Sequence, residues 1–133
     1  MTTKLDRRKA PIPSDRARNI EIATHIALER LISGGDRQSL YVMLQSLSVA
    51  RELAVMGFGE LPVIERGMMA LINVGVRARK TGAYRLVSHE VGCACEALLA
   101  YDAQIETASS EIVVKVVKEM DAKINLEPMR RAA

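Results

Sequence analysis

The sequence predicts an all-α protein: a compact bundle of about five helices whose neighbours run antiparallel. Three observations predict it. Every apolar run recurs at the spacing of one helix face rather than alternating. Aromatic residues are only 3% of the 133 residues, namely Tyr41, Phe58, Tyr84 and Tyr101 with no Trp, so the core falls to Leu, Ile, Val, Ala and the seven Met. Gly, Pro and capping residues punctuate the chain so that only short connections remain, and short connections favour antiparallel neighbours.

Residues 1–13 read as a flexible basic tail, because Pro11 and Pro13 bracket Ile12 and oppose helix there. Residues 14–126 then read as a single helical domain, and 127–133, with Pro128 and Arg130-Arg131, as a frayed C-terminal tail. The first helix starts at Ser14 or Asp15, both good N-caps. Ile20, Ala23, Ala27 and Leu31 recur at helical spacing, Ile22 and Ile26 widen the stripe, and Gly34-Gly35 ends it. Asp36 caps the second helix, whose apolar face is Leu40, Met43, Leu44, Leu47, Ala50 and Ala54, and Gly57 stops it. Pro62 suits the first turn of the third helix. That helix carries Val63, Ile64, Met68, Leu71, Ile72 and Val76 and fades at Thr81-Gly82.

Ser88 is the expected cap of the fourth helix, with Glu90 in its first turn and a stripe of Val91, Ala94, Cys95, Leu98 and Ile105. Ser109 or Ser110 caps the fifth. Its Val113, Val116, Val117, Met120 and Ile124 keep helical spacing, although four valines in a run also suit a strand.

No apolar run is long enough to span a membrane, and no apolar stretch follows the charges of residues 1–9, so the expected location is the cytoplasm. Cys93 and Cys95 are then expected as thiols. On a helix these two point away from each other and share neither a disulfide nor a metal; Cys95 reads as a small core residue. His89 and Cys93 share a face, but a structural zinc site wants four ligands and no such set is visible, so no metal and no cofactor is expected. His25, with Glu21 and Glu29 four residues to either side, has the outline of a general base, but the same spacing describes a solvated helix face, and no nucleophile lies near it in sequence. Gly34-Gly35 and Gly57-Phe58-Gly59 follow no strand and precede no Gly-Lys-Ser/Thr, which makes them turns rather than phosphate loops. No catalytic residues are assigned, and the chain is not expected to be an enzyme. Met68 and Met69 are adjacent, so they cannot face the same way, and one of them is free to meet a partner.

Charge is laid out in blocks. The net charge is only +3, yet residues 77–85 hold Arg77, Arg79, Lys80 and Arg85 with no acid, while residues 86–112 hold five acids and no Lys or Arg. The basic tract, a Gly turn and a Ser-capped helix have the outline of a helix-turn-helix, to which Arg7, Arg8 and Lys9 of the tail add phosphate contacts. Against DNA stand the acids that follow, beginning at Glu90. Set at a helix end and in a connector, the four basic residues are expected to be replaceable without loss of the fold.

The stretch from Arg77-Ala78-Arg79-Lys80-Thr81-Gly82 through Glu90 to Ala100-Tyr101-Asp102-Ala103-Gln104 resembles a pattern in short all-helical accessory proteins of bacterial prophages and mobile elements. The resemblance implies a regulator or inhibitor of a host system and implies no catalytic residue. The expectation is thus a non-enzymatic module that binds a protein, itself included as a homodimer, because the amphipathic segments leave apolar surface to spare. The alternative is a small DNA-binding transcriptional regulator that uses tract 77–85 and the tail.

Overall fold

The computed structural model describes residues 14–109, 111–120 and 122. Among them are five helices and no strand: α1 (Ser14–Ser33), α2 (Arg37–Val55), α3 (Leu61–Thr81), α4 (Ser88–Thr107) and α5 (111–120). Residues 1–13, with Arg7, Arg8 and Lys9, lie outside the described residues, as do Ile124 and the C-terminal segment 127–133.

The helix ends follow local chemistry. Asp36 caps α2 by accepting the Ser39 backbone N–H at 2.8 Å and the Ser39 hydroxyl at 2.8 Å. Those bonds, the backbone one above all, hold its carboxyl below the usual carboxylate range. Gly82 ends α3 in the left-handed conformation at φ 75°, where its N–H reaches the Ala78 carbonyl at 2.8 Å. The Ser109 hydroxyl accepts the Ile112 N–H at 3.4 Å, which identifies Ser109 as a cap of α5. The start of α4 departs from expectation. Its N-cap is Val87, and Ser88 opens the helix at φ 36°. Valine has no side-chain acceptor, so capping comes from the other side, where Glu90 reaches back to the Val87 N–H at 3.1 Å.

Contacts between helices establish their directions. A Cβ on Gly75 would meet Leu40 and one on Gly67 would meet Leu47, so α2 and α3 run antiparallel. Gly67 packs on Cys93 and Ala97 while Arg77 reaches Glu90, so α3 and α4 run antiparallel too. The tightest crossing lies here. A Cβ on Gly67 would fall on the Cβ of Ala97, well inside contact distance, and 3.1 Å from the Cys93 carbonyl oxygen. Helix α1 lies along α2 and α4, and α5 closes the bundle with Val113 and Val116 in the core. A backbone lash ties the first turn region to the third: Gly35 bridges Tyr84, and the Leu86 N–H donates to the Leu31 carbonyl at 2.9 Å.

The core matches the expected stripe on α2, where Leu40, Met43, Leu47, Ala50 and Ala54 are buried and Leu44 is half-buried. On α1 and α3 the phase is different. Thr24, Ala27, Leu28 and Leu31 are buried on α1, while Ile22 and Ile26 face solvent. On α3 the buried face is Ile64, Gly67, Ala70, Leu71, Val74 and Ala78, while Ile72 and Val76 stand outside it. Small residues face α4 because the helices cross closely, and that rotates the bulky ones outward.

One buried polar group joins three elements. Gln104 of α4 is 2% exposed, and its Nε2 donates to the Ala50 carbonyl at 2.9 Å and to the Phe58 carbonyl. It thereby fixes the α2–α3 turn on α4. Gln104→Leu removes the donor to both carbonyls and leaves the Phe58 carbonyl, outside any helix, without it, and the added apolar contact offsets only part of the loss. The expected cost is about 1–2 kcal/mol, read by urea denaturation. A variant as stable as the parent would show that the turn does not depend on this amide.

Candidate functional site

The four residues of the basic tract have different surroundings. Arg77, on the last turns of α3, donates through both guanidinium nitrogens to Glu90, Nη1 to Oε2 at 2.7 Å and Nη2 to Oε1 at 2.6 Å. Its Nη2 also donates to the Arg85 carbonyl at 2.9 Å. Glu90 is 3% exposed. The Arg77 hydrogen bonds hold the Glu90 carboxyl below its ordinary range against the opposing effect of burial, and the Val87 N–H adds to them. Arg77 therefore locks the connector to both helices, and the expectation that all four basic residues are dispensable to the fold does not extend to it. Arg79, Lys80 and Arg85 are exposed. Glu90, the first acid after the tract, is turned inward and offset by Arg77, so it presents no free carboxylate there.

Arg79 joins a feature that sequence reasoning missed. A groove of about 440 Å³ runs between α2 and α3, with Leu40, Leu44, Leu71 and Gly75 along it, Ile72 and Val76 on one wall, and Arg37, Arg79 and Tyr84 at one end. Ile72 is 46% exposed and Val76 53%, and Met69, on the same side of α3, is 58% exposed. Met69 is the exposed member of the Met68-Met69 pair, since Met68 packs on the core. Tyr41, one turn after Arg37, is exposed as well. The spans 37–51 and 66–80, which contain the α2 and α3 residues of the groove, hold no acid, and Glu52 and Glu65 lie just beyond them at the end away from Arg37 and Arg79. The signal was present in the sequence as two acid-free stretches, but only the hairpin places them side by side.

Elsewhere the candidate chemistry is sparse. His25 does not rely on Glu21 or Glu29; its Nε2 lies 2.8 Å from Asp102 Oδ2, a contact between α1 and α4 separated by 77 positions in sequence. Tyr101, beside Asp102, is buried, and burial raises its hydroxyl pKa to about 12. Cys93 and Cys95 are free and both half-buried against the edge of the core, so Cys95 is less enclosed than its place on the apolar stripe suggests. His89 is exposed at the start of α4. Among the described residues no three His, Cys, Asp or Glu side chains are grouped to hold a metal ion, and no helix is long and apolar enough to cross a membrane.

No protein-family model matches the chain, and comparison with curated proteins and with solved structures finds no match either.

Proposed function

We propose that this chain is a non-enzymatic helical module that binds proteins through the α2–α3 groove, a regulator or inhibitor of the kind its resemblance to mobile-element accessory proteins implies. The observation that carries the reading is the groove itself. Apolar side chains of this size are left in water along the acid-free stretches of the hairpin, with arginines at the groove's end. Apolar patches of this kind rimmed by polar groups serve association. The shape suits the apolar face of an amphipathic helix, and the basic rim steers an acidic partner towards it. Duplex DNA is a poorer fit, because the middle of the groove is apolar and the cations left free in the tract gather at one end.

A photo-crosslinking amino acid at position 72 tests the reading in the full chain. The expected result is a covalent adduct to a polypeptide, mapped by mass spectrometry to one segment and lost when Arg37 and Arg79 are both changed to Glu. A gel-shift titration with a mixed duplex at two salt concentrations should show no tight binding. Adducts to nucleic acid alone, or affinity near the roughly 10 nM typical of specific regulators at physiological salt, would replace this reading with the DNA-binding one.

A further inference from the structure

We infer that the occupant of the α2–α3 groove is helix α4 of a second copy of this chain, an assignment that rests on the groove being a protein-binding surface. The argument is charge complementarity. Helix α4 lies within the stretch that has no Lys or Arg. Its outward face is Gly92, Glu96, Leu99, Ala103 and Glu106, all exposed and spaced so that they form one stripe. Leu99, at 63%, is the most exposed large apolar side chain among the described residues. It stands between two carboxylates.

Glu96 and Glu106 are about 15 Å apart along the helix at a rise of 1.5 Å per residue. On the groove side, the arginines that line it, Arg37 and Arg79, stand at one end, with Val76 and Ile72 about one and two turns further along α3. Whichever way the helix lies, one of its two carboxylates comes within reach of Arg37 and Arg79 at the groove's end while Leu99 covers Ile72 and Val76. The face of α4 has a recess of its own. A cavity of about 300 Å³ beside Ala100, Ala103 and Thr107, bounded on its other side by Gly59, Glu60 and Val63, offers room for a groove residue of the other copy.

The contact is between two different surfaces, so it closes as a reciprocal pair or continues as a ring or chain. Both give a mass above that of one 14.6 kDa chain.

The test is a charge exchange read by light scattering. The parent at about 100 µM, well above the dissociation constants of specific protein pairs, should have at least twice the single-chain mass. A groove variant, Arg37→Glu with Arg79→Glu, and an α4 variant, Glu96→Lys with Glu106→Lys, should each be monomeric while keeping the helical circular dichroism of the parent. Mixing the two variants should restore association, because the acidic groove of one now meets the basic α4 of the other. A monomeric parent, variants that associate like the parent, or a mixture that stays monomeric each overturns the inference. So does loss of association on Ile22→Lys with Ile26→Lys alone, which would move the contact to α1. The crosslink at position 72 separates the two levels. An adduct to residues 88–107 of this chain supports both, an adduct to another protein leaves the groove reading standing and removes this one, and the absence of any polypeptide adduct removes both.

Discussion

Gly67→Ala should lower stability by about 3 kcal/mol, although alanine is the better helix former by about 1 kcal/mol. The added Cβ falls on the Cβ of Ala97, with the Cys93 carbonyl oxygen at 3.1 Å and Leu47 Cδ1 at 3.3 Å. Two of these three atoms are backbone or bonded directly to it, so only Leu47 can rotate away. The helices must separate, and that loosens the crossing with the smallest side chains in the bundle. In a chain of this size the melting temperature should fall by about 10 °C. Gly92→Ala is the matched control. It sits on α4 with no atom within 4 Å of the new Cβ, so the helix gain stands alone, about 0.5–1 kcal/mol of added stability. Thermal melts of the two variants in parallel decide the matter. Equal and positive shifts would mean that α3 and α4 do not approach this closely.

Arg77→Gln should cost about 2–3 kcal/mol at neutral pH, whereas Arg79, Lys80 and Arg85 changed together to Gln should move stability by less than about 0.5 kcal/mol. Removing one partner of a buried pair costs about 3–5 kcal/mol. The lower figure is expected here because 37% of the Arg77 side chain is in contact with water, although only 4% of Glu90 is.

The pH dependence fixes the cause. In the parent the Glu90 carboxyl is held low, chiefly by its hydrogen bonds from Arg77. The pair therefore contributes stability above the unfolded value, near 4.5, and loses it as pH falls through the lower folded value. In the variant the chief opposition to burial is gone, with the Val87 N–H still donating to the carboxyl, so the folded value rises and the penalty is largest at neutral pH and shrinks on acidification. Urea denaturation at pH 7 and pH 4 should show the gap between parent and variant narrowing. A gap independent of pH would assign the loss to packing of the arginine stem. The double change Arg77→Gln with Glu90→Gln should be milder than Arg77→Gln alone, since no charge is then left buried.

The fold was legible because helical spacing, caps and glycine stops agree along the chain, and the ends of α2 and α3 lie where Asp36, Gly57, Pro62 and Gly82 place them. The facing of the helices was less legible. Periodicity weighted by bulk puts Ile72 and Val76 on the buried face of α3, but the α4 crossing selects Gly67, Ala70 and Ala78, which carry little hydrophobic weight. The same bias hid Thr24 and Gln104, polar residues that are buried. Of the candidate site, the basic tract was visible as composition, but the division of labour inside it was not. Arg77 and Arg79 differ by two positions, about 200° around a helix, and that rotation sends one to Glu90 and the other to the groove. Gln104 and Asp102, which meet partners far away in sequence, had no local pattern to announce them.

The lash between Leu31 and Leu86 bears on the order in which the molecule assembles. The α2–α3 and α3–α4 hairpins join neighbours in the chain and close small loops, whereas the lash must close a loop that contains two whole helices. Closing the longer loop costs more entropy and is repaid by only a few bonds. It is thus reached after the hairpins have shortened the effective distance between its ends. A contact made that late does little to set the speed of folding and much to set how long the folded chain endures. The connector that joins α3 to α4 thus acts as a latch on residence time in the native state.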